Sequence, residues 1–280
     1  MRALLLFDLD GTLVQSNGAG TIAIDRTFSE LFGITGAAHR VDWRGKPDTR
    51  IFREILEACG LEPTPDRLAA ARQSYLHHLK QLVGDHPGSL PPGIPAVLEA
   101  AAVDPRFRLA LGTGNLEEGC RAKLAVHDLN RFFPVGGFAE DGEDRRELIR
   151  AAWIRSARYY WHQDSPRAGG EALRFFDRVI VIGDTPLDID AAAANGFYSL
   201  AVATGNHTLA QLVACRPTLA FPDLADVHSV LQAVAALPAH PWADPTRAQP
   251  LPAPADPATG LGLSSPTPPA TPSAGHTHSQ

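Results

Sequence analysis

Phe7-Asp8-Leu9-Asp10-Gly11-Thr12-Leu13-Val14, entered from the apolar run Ala3-Leu4-Leu5-Leu6, decides how this chain is read. Residues two apart along a strand share a face. At the C-terminal end of a strand over 3–7, Asp8 and Asp10 therefore converge on one small volume. Two carboxylates that close repel each other unless a cation or a proton intervenes. Such a pair suits a hard cation such as Mg²⁺ and a nucleophilic carboxylate, both of use in phosphoryl transfer.

Two further apolar runs end in small or polar clusters. Residues 109–111 lead into Gly112-Thr113-Gly114-Asn115, and residues 179–182 lead into Gly183-Asp184-Thr185. Segments of helical periodicity separate the three runs. Strands alternating with helices predict an α/β fold, a Rossmann-like doubly wound parallel sheet with functional groups at the strands' C-terminal ends. Residues 15–92 hold no convincing central strand. Their segments 22–32, 49–59 and 66–82 read as helices, and Ile51, Ile55, Ala58 and Cys59 form an i, i+4, i+7, i+8 stripe. The expected organisation is an α/β core over 1–14 and 93–237, with a helical cap inserted over 15–92. The segment 161–170 reads as a surface loop. Residues 238–280, rich in Pro, Ala, Ser and Thr, bury too little apolar surface to offset ordering entropy and are expected to be disordered. His276 and His278 in that tail are weak candidates for a metal.

A formal net charge of -6 argues against a nucleic-acid partner, which calls for a basic patch. The three cysteines, Cys59, Cys120 and Cys215, have no metal-like spacing and fit a reducing cytoplasm better than a disulfide framework. The apolar run before Asp8 is too short for a signal-peptide core, and no stretch approaches the length of a membrane span. Gly112-Thr113-Gly114-Asn115 with Gly119 does not match a dinucleotide fingerprint, because the third glycine is misplaced and Phe132-Phe133 stand where an acid would meet ribose.

Asp8-Leu9-Asp10-Gly11-Thr12, then Thr113 at a strand end, then Gly183-Asp184 with Asp188, resemble the first, second and fourth motifs of the haloacid dehalogenase superfamily. The resemblance spans residues 1–226. It implies that Asp8 is the nucleophile and Asp10 the general acid and base. It also implies Mg²⁺ held by Asp8, the backbone carbonyl of Asp10, Asp184 and Asp188, and a phosphate received by Thr113 with Thr12, Gly114 and Asn115 adjoining. The cap's position after the first motif points to the subclass with a small helical cap. Asp42-Trp43-Arg44-Gly45-Lys46-Pro47-Asp48-Thr49 is similar to the specificity loop of phosphoglycolate-phosphatase-like and phosphoglucomutase-like members, which makes Arg44 and Lys46 candidate substrate contacts.

The third motif departs from the family pattern. No lysine lies between Phe138 and Trp153, only Arg145, Arg146 and Arg150. Arg145 is the expected replacement, with a fixed fork of donors where a lysine offers a point charge; Arg146 and Lys123 compete for the role. The expectation is a cytoplasmic Mg²⁺-dependent phosphatase, a phosphoric monoester hydrolase acting on a small phosphorylated metabolite such as phosphoglycolate or a sugar phosphate. The alternatives are a sugar-phosphate mutase and a catalytically silent phosphate-ligand-binding protein.

Overall fold

The computed structural model describes residues 2–164 and 172–240. In chain order the first elements are β1 (Ala3–Phe7), α1 (Ala19–Phe32), α2 (Asp48–Ala58), α3 (Pro65–Asp85), α4 (Ile94–Val103), β2 (Phe107–Gly112) and α5 (Glu117–Ala125). There follow β3 (Gly136–Gly137), α6 (Arg145–Asp164), β4 (Arg178–Gly183), α7 (Pro186–Ala194), β5 (Tyr198–Val202), α8 (Leu209–Ala214), β6 (Leu219–Phe221) and α9 (Val227–Ala236). The six strands form one sheet in the order β3-β2-β1-β4-β5-β6, and every pair is parallel. This is the doubly wound arrangement read from the sequence. Phe7 stands opposite Leu111 on one side and Ile182 on the other, so the ends of β2, β1 and β4 lie level. Asp8, Thr113 and Asp184 each sit just past one of those ends.

Strand alternation divides the core. Leu5 and Phe7 pack with Val97, Leu98, Phe133 and Val230, whereas Leu4 and Leu6 face Leu148, Ile149 and Trp153 of α6. Because both faces are covered, β1 is apolar at every position until the carboxylates begin. Burial of each such leucine is worth about 1.5–3 kcal/mol.

Helices α1, α2 and α3 bury a separate cluster that includes Phe28, Phe52, Ile55, Leu56, Tyr75 and Leu79. Thr64 caps α3 by accepting from the Arg67 amide, with Pro65 at the first helical position. The buried stripe of α2 is Ile51, Phe52, Ile55 and Leu56, while Ala58 is exposed and Cys59 half-buried. The expected stripe thus fails at its C-terminal end, because α2 stops at Ala58 and the larger Phe52 and Leu56 occupy the interface. The connections into and out of this unit pair with each other. Gln15 N–H donates to Ser89 O at 2.8 Å, and Ser89 N–H to Gln15 O at 3.1 Å.

Two segments differ from expectation. Residues 161–164 are helical, the last turn of α6, because Trp161 packs edge-on against Phe175; residues 165–171 lie outside the described residues. The start of the expected disordered tail is instead ordered chain, held against the sheet. Pro238 O accepts from the Tyr198 hydroxyl at 3.2 Å, and the buried His240 ring stacks on Tyr198 with ring centroids 4.5 Å apart. The His240 amide also donates to Asp177 O at 2.8 Å. The rest of the tail, 241–280 with His276 and His278, lies outside the described residues. No helix among the described residues is long and apolar enough to cross a membrane.

Candidate active site

The turn after β1 is built by one carbonyl. Leu9 O accepts from the amides of Thr12, Leu13 and Val14, and Gly11 N–H closes onto Val14 O at 2.9 Å. Gly11 adopts φ +84°, and a Cβ there would lie 2.5 Å from Asp184 Oδ2, so only glycine fits. The turn sends Asp8 and Asp10 to different surroundings.

Asp8 is 5 % exposed and its amide donates to Ile182 O at 2.9 Å. One oxygen each from Asp8, Asp184 and Asp188 lies within 4.8 Å of the others. Burial, opposed by Arg145 and reinforced by Asp188, pushes the Asp8 carboxyl up to about 6. Burial together with Asp8 and Asp188 pushes Asp184 up to about 8. Thr12 points its hydroxyl at Asp184 Oδ1, 3.3 Å away.

Asp188 has two duties. Its Oδ2 accepts from the Thr185 amide at 3.0 Å and the Thr185 hydroxyl at 2.7 Å, which caps α7. Its Oδ1 faces Arg145, whose Nε donates to it at 2.7 Å. Arg145 Nη2 lies 2.6 Å from Asp8 Oδ1 and 2.5 Å from Asp188 Oδ1, and Nη1 donates to Gly45 O at 3.3 Å. The guanidinium is buried and meets two acids at once, and its fork reaches a backbone carbonyl as well. Of the competitors, Arg146 pairs with Asp190 on the surface, and Lys123 lies beside Asp10.

Asp10 receives three donors. Ser16 Oγ donates to Oδ1 at 2.9 Å, while Asn115 Nδ2 at 2.9 Å and Lys123 Nζ at 2.6 Å donate to Oδ2. Burial raises its affinity for a proton, but Lys123 and these bonds outweigh burial and hold the carboxyl below its ordinary range. Thr113 is fully buried, and its Oγ1 accepts from the amide and the side-chain nitrogen of Asn115. Gly114 O accepts from Asp48 N–H at 2.7 Å, and Leu116 N–H donates to Asp48 Oδ2 at 2.9 Å, which joins α2 to the loop after β2. Burial pushes the Asp48 carboxyl up to about 7.

A cavity of about 390 Å³ opens between the helical unit and the sheet, and Asp8, Asp10, Asp184, Lys123, Tyr75 and Trp43 are among its walls. Arg44 and Lys46 line it too, yet Arg44 is paired with Asp42 at 3.3 Å and Lys46 with Glu54 at 2.6 Å.

Residues 156–227 match the family model described as HAD-hydrolase-like. This is a haloacid dehalogenase-like fold. Solved structures agree with it over most of the chain. A haloacid dehalogenase-like family protein from Streptococcus pneumoniae is 22 % identical, with a TM-score of 0.55, covering 83 % of this chain and 99 % of its own. CbbY from Rhodobacter sphaeroides, solved with phosphate, is 19 % identical with a TM-score of 0.60, covering 81 % of this chain and 96 % of its own. β-Phosphoglucomutase from Clostridium difficile is 14 % identical with a TM-score of 0.62, covering 84 % of this chain and 98 % of its own. No curated protein matches the chain in sequence.

Within the haloacid dehalogenase-like fold, sequence reasoning missed Ser16 and Asp48 and set Lys123 in the wrong contest. The signal for Lys123 lay in α5, where Cys120, Lys123 and Leu124 fall on one buried stripe at i, i+3, i+4. A lysine inside an apolar stripe either meets an acid or carries its amine out to water along its own stem.

Proposed function

We propose that the chain is a Mg²⁺-dependent phosphatase that hydrolyses a small phosphorylated metabolite through an aspartyl-phosphate on Asp8. The observation that carries this reading is the unequal treatment of two carboxylates two residues apart. Asp8 is sunk among acids with a single cation, and Asp10 is held by three donors at the cavity. Unequal environments assign unequal roles.

The acid cluster fits a divalent cation. Three buried carboxylates share one guanidinium, which leaves two negative charges uncompensated when all three ionise. Gly11 and Gly205 leave room beside Asp184, where a Cβ at Gly205 would overlap Oδ2. Asp8, Asp184 and Asp188 would hold the ion. When bound, Mg²⁺ supplies charge neutralisation between carboxylate and phosphate.

In the first step an Asp8 oxygen bonds to phosphorus as the bond from phosphorus to the leaving oxygen breaks. Asp10 enters this step as the acid, carrying the proton taken from water in the preceding turnover, and gives it to that oxygen as the alcohol departs. In the second step Asp10 takes a proton from water as the water oxygen bonds to phosphorus, and the Asp8 carboxylate is released. Arg145 orients Asp8, Gly114 and Asn115 line the cavity that would receive the phosphoryl group with Thr113 buried behind them, and the helical unit shields the site from bulk water. CbbY, solved with phosphate, supports a phosphorylated ligand for this fold, and β-phosphoglucomutase supports a sugar phosphate. The test is a phosphate-release screen over phosphorylated metabolites, phosphoglycolate first, with and without Mg²⁺, comparing wild type with Asp8→Asn. Loss of Mg²⁺-dependent release in the variant is expected; near-wild-type release refutes the reading. Conversion of a hexose 1-phosphate to its isomer without free phosphate would mark a mutase instead.

A further inference from the structure

Lys123 is a buried ammonium that the reaction above does not use. It is 3 % exposed, and burying such a charge is costly unless it is paired and hydrogen-bonded. Nζ donates to Asp10 Oδ2 at 2.6 Å and to Asn115 Oδ1 at 2.8 Å. Asn115 in turn donates to Asp10 Oδ2 at 2.9 Å and to Thr113 Oγ1 at 3.1 Å. Lys123, Asn115 and Asp10 therefore form a closed triangle in which every edge is a hydrogen bond. Ser16 holds the remaining oxygen, Oδ1. The donors come from three places in the chain: the linker before α1, the loop after β2, and α5.

A carboxylate gripped at both oxygens has little freedom to rotate. The Asp10 side chain nevertheless keeps 40 % of its surface open, on the cavity side. The ion pair of Asp8 runs to Arg145 instead, so Arg145 and Lys123 are divided, one to each aspartate.

We infer that Lys123 is a positioning residue for Asp10, acting with Asn115 to aim that carboxyl at the leaving oxygen. The inference rests on the roles given above to Asp8 and Asp10. General acid and base contributions are about 10²–10⁴-fold and depend on hydrogen-bond reach. Loss of aim should therefore fall on esters whose leaving group needs a proton and spare those whose leaving group does not.

The experiment measures kcat/KM, which reports phosphoryl transfer to Asp8 alone, for an alkyl phosphate and for 4-nitrophenyl phosphate. Lys123→Met is expected to lose about 100-fold on the alkyl ester and less than about fivefold on the nitrophenyl ester. Lys123→Gln, polar and of similar reach, carries the same comparison if the methionine variant fails to fold. In an Asp10→Ala background, Lys123→Met should cost less than about threefold more, because residues acting as a unit are not additive. Equal losses on the two esters, no loss, or a further tenfold loss in the Asp10→Ala background overturns the inference. A wild type that hydrolyses both esters and loses activity with Asp8→Asn keeps the function standing while any of these results removes Lys123 from it. A wild type that releases phosphate from neither ester overturns both.

Discussion

Replacing Arg145 by methionine tests whether one guanidinium holds the acid cluster together. The side chain is 5 % exposed and its Nη2 lies 2.6 Å from Asp8 and 2.5 Å from Asp188. Methionine keeps most of the length and removes the charge. Truncating one partner of a buried ion pair costs about 3–5 kcal/mol, because the other partner stays buried and uncompensated. An escape route sets a lower bound. Asp8 can enter the folded state protonated, and protonating at pH 7 a carboxyl already pushed up to about 6 costs about 1.4 kcal/mol relative to wild type. The loss in metal-free buffer therefore lies between about 1.4 and 5 kcal/mol. For a chain of this size that is roughly 3–20 °C in melting temperature. A divalent cation supplies charge at the same carboxylates, so saturating Mg²⁺ should return a large part of the loss. Thermal unfolding of wild type and Arg145→Met, each in EDTA and in Mg²⁺, reads both effects. A shift under about 2 °C in EDTA, or one that Mg²⁺ leaves untouched, refutes the reasoning.

Asp48→Asn should stabilise the protein, by about 1–2 kcal/mol or roughly 2–8 °C at pH 8, because a buried charge is replaced by an amide that still accepts from Leu116 N–H. The sign follows from a folded value pushed up to about 7 against an ordinary 3.8, with Lys123 opposing burial and Asp10 and Glu140 assisting it. The unfolded chain releases its proton first, so the penalty begins near pH 4 and is complete above pH 7. The gain should therefore be at least twice as large at pH 8 as at pH 5, and a pH-independent difference in melting temperature contradicts it. Gly205→Ala places a Cβ where Asp184 Oδ2 now sits, and should weaken Mg²⁺ binding at least tenfold by titration calorimetry. Gly84→Ala, in α3 with nothing within 4 Å, is the control: it should raise stability by up to about 1 kcal/mol and leave Mg²⁺ binding unchanged.

The doubly wound sheet was legible because its signals are local. Five buried residues before Asp8, and short apolar runs before Thr113 and Asp184, carry strand and strand end within a few positions. β3 has two residues and β6 three, too few for any period to register, and neither is visible in the sequence pattern. The candidate site was legible in its acids for the same reason. Asp8, Thr113 and Asp184 need only be strand ends, since a parallel sheet with β1 between β2 and β4 brings all such ends to one edge.

The cations resisted reading because their partners are far along the chain. Arg145 meets Asp8 across 137 positions and Lys123 meets Asp10 across 113. Nothing near either residue states which acid it will reach. Arg44 and Lys46 show the converse, since both line the cavity as expected while their charges are engaged by Asp42 and Glu54. A lysine in an apolar stripe can also carry its amine out to water along its own stem. For Lys123 the deciding fact is that α5 packs with its Nζ directed at Asp10, and only 3 % of the residue is left exposed. That is why its contribution should be read in the proton given to the leaving group, rather than in charge offered to the phosphate.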